Sequence, residues 1–120
     1  MIQDCIIKIC NLPIDFKNNN KSAFDLATDS NFKLYHDKIT LSDIREYLKA
    51  NMNLLEVWQQ WSWDKRTTGY FLSFEDNNTV GFINDKFQTT SKKEFDSPID
   101  ACSKFIYREI SNILGLDNKK

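Results

Sequence analysis

Residues 68–90 read TGYFLSFEDNNTVGFINDKFQTT, and apolar side chains recur there at every second position. Tyr70, Leu72 and Phe74 fall on one face of an extended chain, with Phe71, Ser73 and Glu75 on the other. Asp76, Asn77 and Asn78 form a turn cluster, after which Val80 and Phe82 resume the alternation, so a β-hairpin is predicted. Asn84, Asp85 and Lys86 supply a second turn, and Phe87 to Thr90 a candidate third strand. A meander this small has one apolar face and needs a helical layer over it.

Helical signals flank the meander on both sides. Downstream, Ser97 is predicted as an N-cap, Pro98 as the first helical residue, where a missing N–H is no loss, and Asp100 as an acid near the positive end of the helix dipole. Ile99, Cys102, Phe105, Ile106, Ile110 and Ile113 then form a stripe through four turns, and Gly115 is placed for a left-handed C-terminal cap. Lys104, Arg108 and Glu109 are assigned to the exposed side of this helix, and residues 116–120 to a frayed tail.

Upstream, Thr40 is read as an N-cap with Asp43 three residues on, opening a helix whose apolar face is Leu41, Ile44 and Leu48. A second start follows at Asn53, with Glu56 at the third helical position and a stripe of Leu54, Val57, Trp58 and Trp61, which makes an αα-hairpin. A short helix is expected from Ser22, beyond the polar loop Lys17–Lys21. Period does not decide between helix and strand for the apolar run Ile2–Leu12; helix is favoured, with Pro13 as its end. The expected architecture is one α+β domain over residues 1–120. It is a small antiparallel β-meander of two to four strands packed against three to four helices, with a long C-terminal helix.

Sixteen basic and seventeen acidic residues leave a formal net charge of −1, so no global field draws the chain to nucleic acid or to an anionic membrane. Asp4 and Lys8 interrupt the apolar stretch Met1–Cys10, which is too short for a signal peptide or a membrane span, and a cytoplasmic protein is expected. Cys5, Cys10 and Cys102 are an odd number without CxxC spacing, which reads as buried thiols in a reducing compartment.

Chemistry-bearing patterns are sparse. His36 is the one histidine, set beside Asp37 in a polar LYHDK segment without a nucleophile motif, and is read as a surface residue. No HExxH, EF-hand loop or cysteine pair is present, and Gly69, Gly81 and Gly115 are too scattered to cradle a phosphate. The adjacent acids Glu75 and Asp76 fall at a hairpin tip, where carboxylates are ordinarily solvated. No catalytic residue, metal site or cofactor is therefore expected.

The unusual feature is aromatic. Trp58, Trp61 and Trp63 lie within six residues, and Trp63 sits about 200° around the helix from Trp61, so one face does not bury all three. Trp63 either packs on the helix-to-strand joint or belongs to a partner-binding surface, where tryptophan is enriched.

Three stretches carry a resemblance: HDKITLSDIREYLKANMNLLEVWQQWSWDKR (His36–Arg66), TTGYFL (Thr67–Leu72) and FDSPIDACSKFIYREISNIL (Phe95–Leu114). With its WxxWxxDKR-like helix end, GYF-type strand and ACxxFIxREI-type terminal helix, the chain resembles small bacterial immunity proteins of polymorphic-toxin and contact-dependent growth inhibition systems. The resemblance implies a cytoplasmic inhibitor that binds one cognate toxin domain, often a nuclease, and occludes its active site. Glu75, Asp76 and Asp85, at the two hairpin turns, and Trp63 are the candidate contacts, the acids because they would meet a basic cleft. The competing expectation is a small adaptor or regulatory module that binds another protein or nucleic acid.

Overall fold

In the computed structural model, which describes residues 2–65, 69–75 and 77–116, the SPID start opens the longest helix, α7 (Pro98–Ile113). The Ser97 hydroxyl accepts the Asp100 N–H at 3.1 Å. At the other end Gly115 takes φ +72°, and the N–H groups of Gly115 and Leu116 donate to the carbonyls of Asn112 and Ser111 at 3.1 and 2.8 Å. This paired closure satisfies two terminal carbonyls. It also turns Leu116, assigned from sequence to the tail, back onto the core.

The meander consists of β1 (Gly69–Ser73), β2 (Thr79–Ile83) and β3 (Thr89–Glu94), antiparallel and in that order. Tyr70 pairs with Phe82 and Leu72 with Val80, so these four side chains share the face that α7 covers. Leu72 is fully buried there. On the opposite face Gly81 is required, because a Cβ at that position would overlap the Phe71 ring. The third strand starts at Thr89, two residues later than the alternation suggests. Phe87 and Gln88 belong to the turn, where they are bonded back to Asn84.

The two edges of the sheet are treated differently. Along β1 the outward N–H groups are taken by side chains of α6 (Asn53–Lys65): Leu72 N–H donates to Ser62 Oγ at 2.8 Å, and Phe74 N–H to Gln59 Oε1 at 2.7 Å. Strand β3 is exposed along its whole length and carries Lys92 and Lys93, a composition that discourages edge-to-edge pairing.

Helix α5 (Leu41–Lys49) has the expected cap in reciprocal form, with Asp43 N–H donating to Thr40 Oγ1 at 3.1 Å and Thr40 N–H to Asp43 Oδ2 at 2.9 Å. Ile44 and Leu48 are fully buried, whereas Leu41 is exposed, in the first turn before the helix meets the core. Asn53 is not the cap of α6 but part of it. The turn after α5 continues in helical geometry, with the N–H groups of Leu54 and Leu55 bonded to the carbonyls of Asn51 and Met52.

The N-terminal third is all helix: α1 (Ile2–Cys10), α2 (Leu12–Asn18), α3 (Ala23–Asp29) and α4 (Phe32–Tyr35). Pro13 does not end a helix; it sits in the first turn of α2, where its ring is tolerated. The short helix expected from about Ser22 is α3, and Ser22 stands as its N-cap, its hydroxyl accepting from the Asp25 N–H. Seven helices thus stand among the described residues where three to four were expected. The additional ones include α2 and α4, too short to show a period.

Trp58 ties the layers together. It is fully buried, its Nε1 donates to the Cys10 carbonyl at 2.8 Å, and its ring meets Phe105 of α7 edge-on at 5.9 Å. Glu109 also belongs inside, not on the exposed side of α7. It is only 2% exposed, and Trp61 Nε1 donates to its Oε2 at 2.9 Å.

Ile106, a fully buried residue of α7, tests this packing. Ile106→Ala should destabilise the protein by about 2 to 5 kcal/mol; denaturant unfolding indistinguishable from the parent would show that α7 does not seal the core.

Candidate functional site

Helix α6 presents three sides because three different surroundings meet it. Leu54, Trp58 and Ser62 point inward, buried. Glu56, Val57, Gln60, Trp61 and Asp64 form one wall of an open groove of about 540 Å³, whose other wall is Pro13, Phe16 and Lys17 of α2. Phe16 and Trp61 meet edge-on across it at 5.4 Å. Its floor is thus apolar, and two carboxylates and one ammonium stand on its rim; Asp64 is held in place by Gln60, whose Nε2 donates to Oδ1 at 2.8 Å. Trp63 lies outside the groove and is 44% exposed, so a substantial part of a large apolar side chain is left in solvent.

Because Ser62 bonds to Leu72 and Gln59 to Phe74, α6 runs antiparallel to β1, and its C-terminal turn lies toward Gly69. Gly69 pairs with Ile83, the last residue of β2. Ser62 is level with Leu72, and a helix rises only about 1.5 Å per residue, so Trp63 and Asp64 stand beside β1, while the β2–β3 turn, residues 84–88, lies beyond the Gly69–Ile83 end. Asp85 is exposed in that turn, whereas Glu75 is exposed in the β1–β2 turn at the opposite end, roughly 17 Å away by the rise of a five-residue strand. Asp76 lies outside the described residues. The candidates from sequence are thus not gathered at one place: Asp85 and Glu75 stand at opposite ends of the sheet, and Trp63 stands beside β1 between those ends.

The turn at 84–88 is rigid for its size. Asn84 Oδ1 accepts from the N–H groups of Lys86 and Gln88 at 2.9 and 3.0 Å, Asn84 N–H donates to the Gln88 carbonyl at 2.9 Å, and Phe87 N–H donates to the Asn84 carbonyl at 2.9 Å. Closing the turn in this way forces Phe87 to φ +61°, a left-handed conformation that costs a side chain bearing Cβ about 1–2 kcal/mol. Its ring is 75% exposed. Sequence reasoning placed Phe87 in a strand, since nothing in a phenylalanine signals positive φ; the clue available was Asn84, a residue that organises turns.

His36 follows α4 and packs its ring against Phe32 at 5.9 Å between centroids, while its carbonyl accepts the Tyr107 hydroxyl at 2.8 Å. Its backbone carbonyl therefore serves the packing of α4 on α7. Among the described residues no group of three or more His, Cys, Asp or Glu side chains is arranged to hold a metal ion, and no helix is long and apolar enough to cross a membrane. The three cysteines are unpaired and buried. Burial pushes the Cys10 thiol up to about 12 and raises Cys5 and Cys102 as well.

No family model, curated protein or solved structure matches the chain.

The cysteines make a direct check on this interior. A raised thiol pKa lowers the thiolate fraction, so at about pH 8 the native protein should resist alkylation by iodoacetamide, and all three thiols should react on denaturation. Rapid labelling of one thiol per chain in the native state would contradict the burial described.

Proposed function

We propose that this chain is an immunity protein: it binds a cognate toxin domain as a stoichiometric complex and neutralises it by covering its active site, as the resemblance in residues 36–72 and 95–114 implies. The observation that carries this reading is the pair of exposed aromatic rings set beside exposed carboxylates, Trp63 next to Asp64 in α6 and Phe87 near Asp85 in the β2–β3 turn. Exposed aromatics on rigid elements lose little conformational freedom on binding, which is why such residues dominate interfaces. Neighbouring carboxylates suit a basic surface, such as a cleft that holds nucleic acid, and the net charge of −1 makes that attraction local.

Occlusion requires a scaffold that does not yield when the partner docks. The sealed β1 edge and the Trp58 junction supply it. No proton transfer or bond cleavage is asked of the inhibitor; inhibition follows from exclusion of the toxin's substrate.

The alternative, an adaptor that binds nucleic acid, draws on a concavity of about 300 Å³ between β3 and α7 lined by Lys93, Lys104 and Arg108. There Arg108 lies over the Tyr70 ring and Lys93 over Phe95. Tight, salt-sensitive binding of a single-stranded oligonucleotide would favour that alternative.

The decisive experiment is coexpression with the C-terminal domain of the protein encoded immediately upstream. Cells should survive, and a one-to-one complex should elute on size-exclusion chromatography. Asp85→Lys should weaken that complex by at least about tenfold, while Glu75→Lys at the opposite end changes it little. Cell death despite soluble protein, with no complex detected, would overturn the proposal.

A further inference from the structure

We infer that the β2–β3 turn is the anchor of the partner interface, with Phe87 inserting its ring into an apolar pocket on the surface of the toxin domain. This rests on the binding function proposed above and names the side chain that carries it.

Three observations converge on Phe87. Its ring is 75% exposed, the most of any large apolar side chain among the described residues, so the fold gains little from it. Its backbone is held at φ +61°, so the fold bears a strain that glycine or asparagine would relieve. The turn around it is locked by Asn84, which accepts from two backbone N–H groups and closes the Gln88 pairing, so the ring is presented in one place before any partner arrives. Leu34 and Phe24 are also exposed, at 67% and 55%, but they sit in ordinary helical turns of α4 and α3 and carry no such strain.

A pre-positioned aromatic on a stiff loop is the form that an interface anchor takes, because the ordering has been completed before binding. The chemistry of the occupant follows from the neighbours. Asp85 and Lys86 immediately precede Phe87 in the turn and are exposed, so a lipid surface would have to accommodate a carboxylate near the inserted phenyl group. A pocket in a folded protein, apolar within and polar at its mouth, accepts the ring while leaving both charges in water.

The test compares the parent with Phe87→Asn, since asparagine adopts the left-handed conformation readily. Affinity for the C-terminal domain of the upstream-encoded protein is measured by calorimetry, and stability by thermal unfolding. The melting temperature should hold or rise by roughly 2–4 °C, while the dissociation constant rises at least about tenfold, as expected for loss of a central aromatic. Equal affinity of parent and variant would overturn this inference and leave the immunity function standing. A fall in melting temperature would overturn it by showing that the ring serves the fold. Absence of a complex with the parent itself would overturn both.

Discussion

The seal that α6 places on β1 is the constraint from which the rest of the architecture follows. A three-stranded sheet has two edges, and an unpaired row of N–H groups on either invites pairing with another chain. Here Ser62 and Gln59 accept the outward N–H groups of Leu72 and Phe74, so one edge is closed by side chains and not by a fourth strand. The same two bonds set the direction and height of α6 against the sheet. With α6 so placed, Trp58 reaches both the Cys10 carbonyl and the Phe105 ring, and Trp61 reaches Glu109. Losing Ser62 would leave a buried N–H without its acceptor, a cost of about 1–3 kcal/mol, and would loosen the registration of α6 on the sheet.

That registration also decides what is left outside. Rotating α6 so that Ser62 faces β1 and Trp58 faces the core leaves Trp63 facing solvent. The exposure of Trp63 is thus a consequence of how the core is closed. The strained Phe87 turn stands separately, beyond the Gly69–Ile83 end of the sheet.

Much of the fold was legible from local chemistry. Ser97, Thr40 and Gly115 act where they stand in the chain, through bonds to residues three or four positions away, and each was legible as a cap. The alternation of Tyr70, Leu72, Val80 and Phe82 likewise reported its own strand pair. What was not legible depends on partners distant in sequence or on elements too short to carry a period. Glu109 looks like a surface acid until Trp61, forty-eight positions away, supplies its indole N–H. Helix α4, four residues long, has no periodicity to detect. At the candidate site the sequence showed that Trp63 was surplus to one helical face and that Asp85 sat in a turn, yet it placed Phe87 in a strand and gave no sign of the groove between α2 and α6, because both arise from tertiary closure.

Hydrogen–deuterium exchange of the chain, free and bound to the C-terminal domain of the upstream-encoded protein, tests most directly whether the surfaces that carry Phe87 and Trp63 form the binding surface. Exchange should slow in residues 84–88 and in the last turn of α6, with α3 and α4 unchanged. Slowing confined to α3 and α4, or to the open β3 edge, would contradict it.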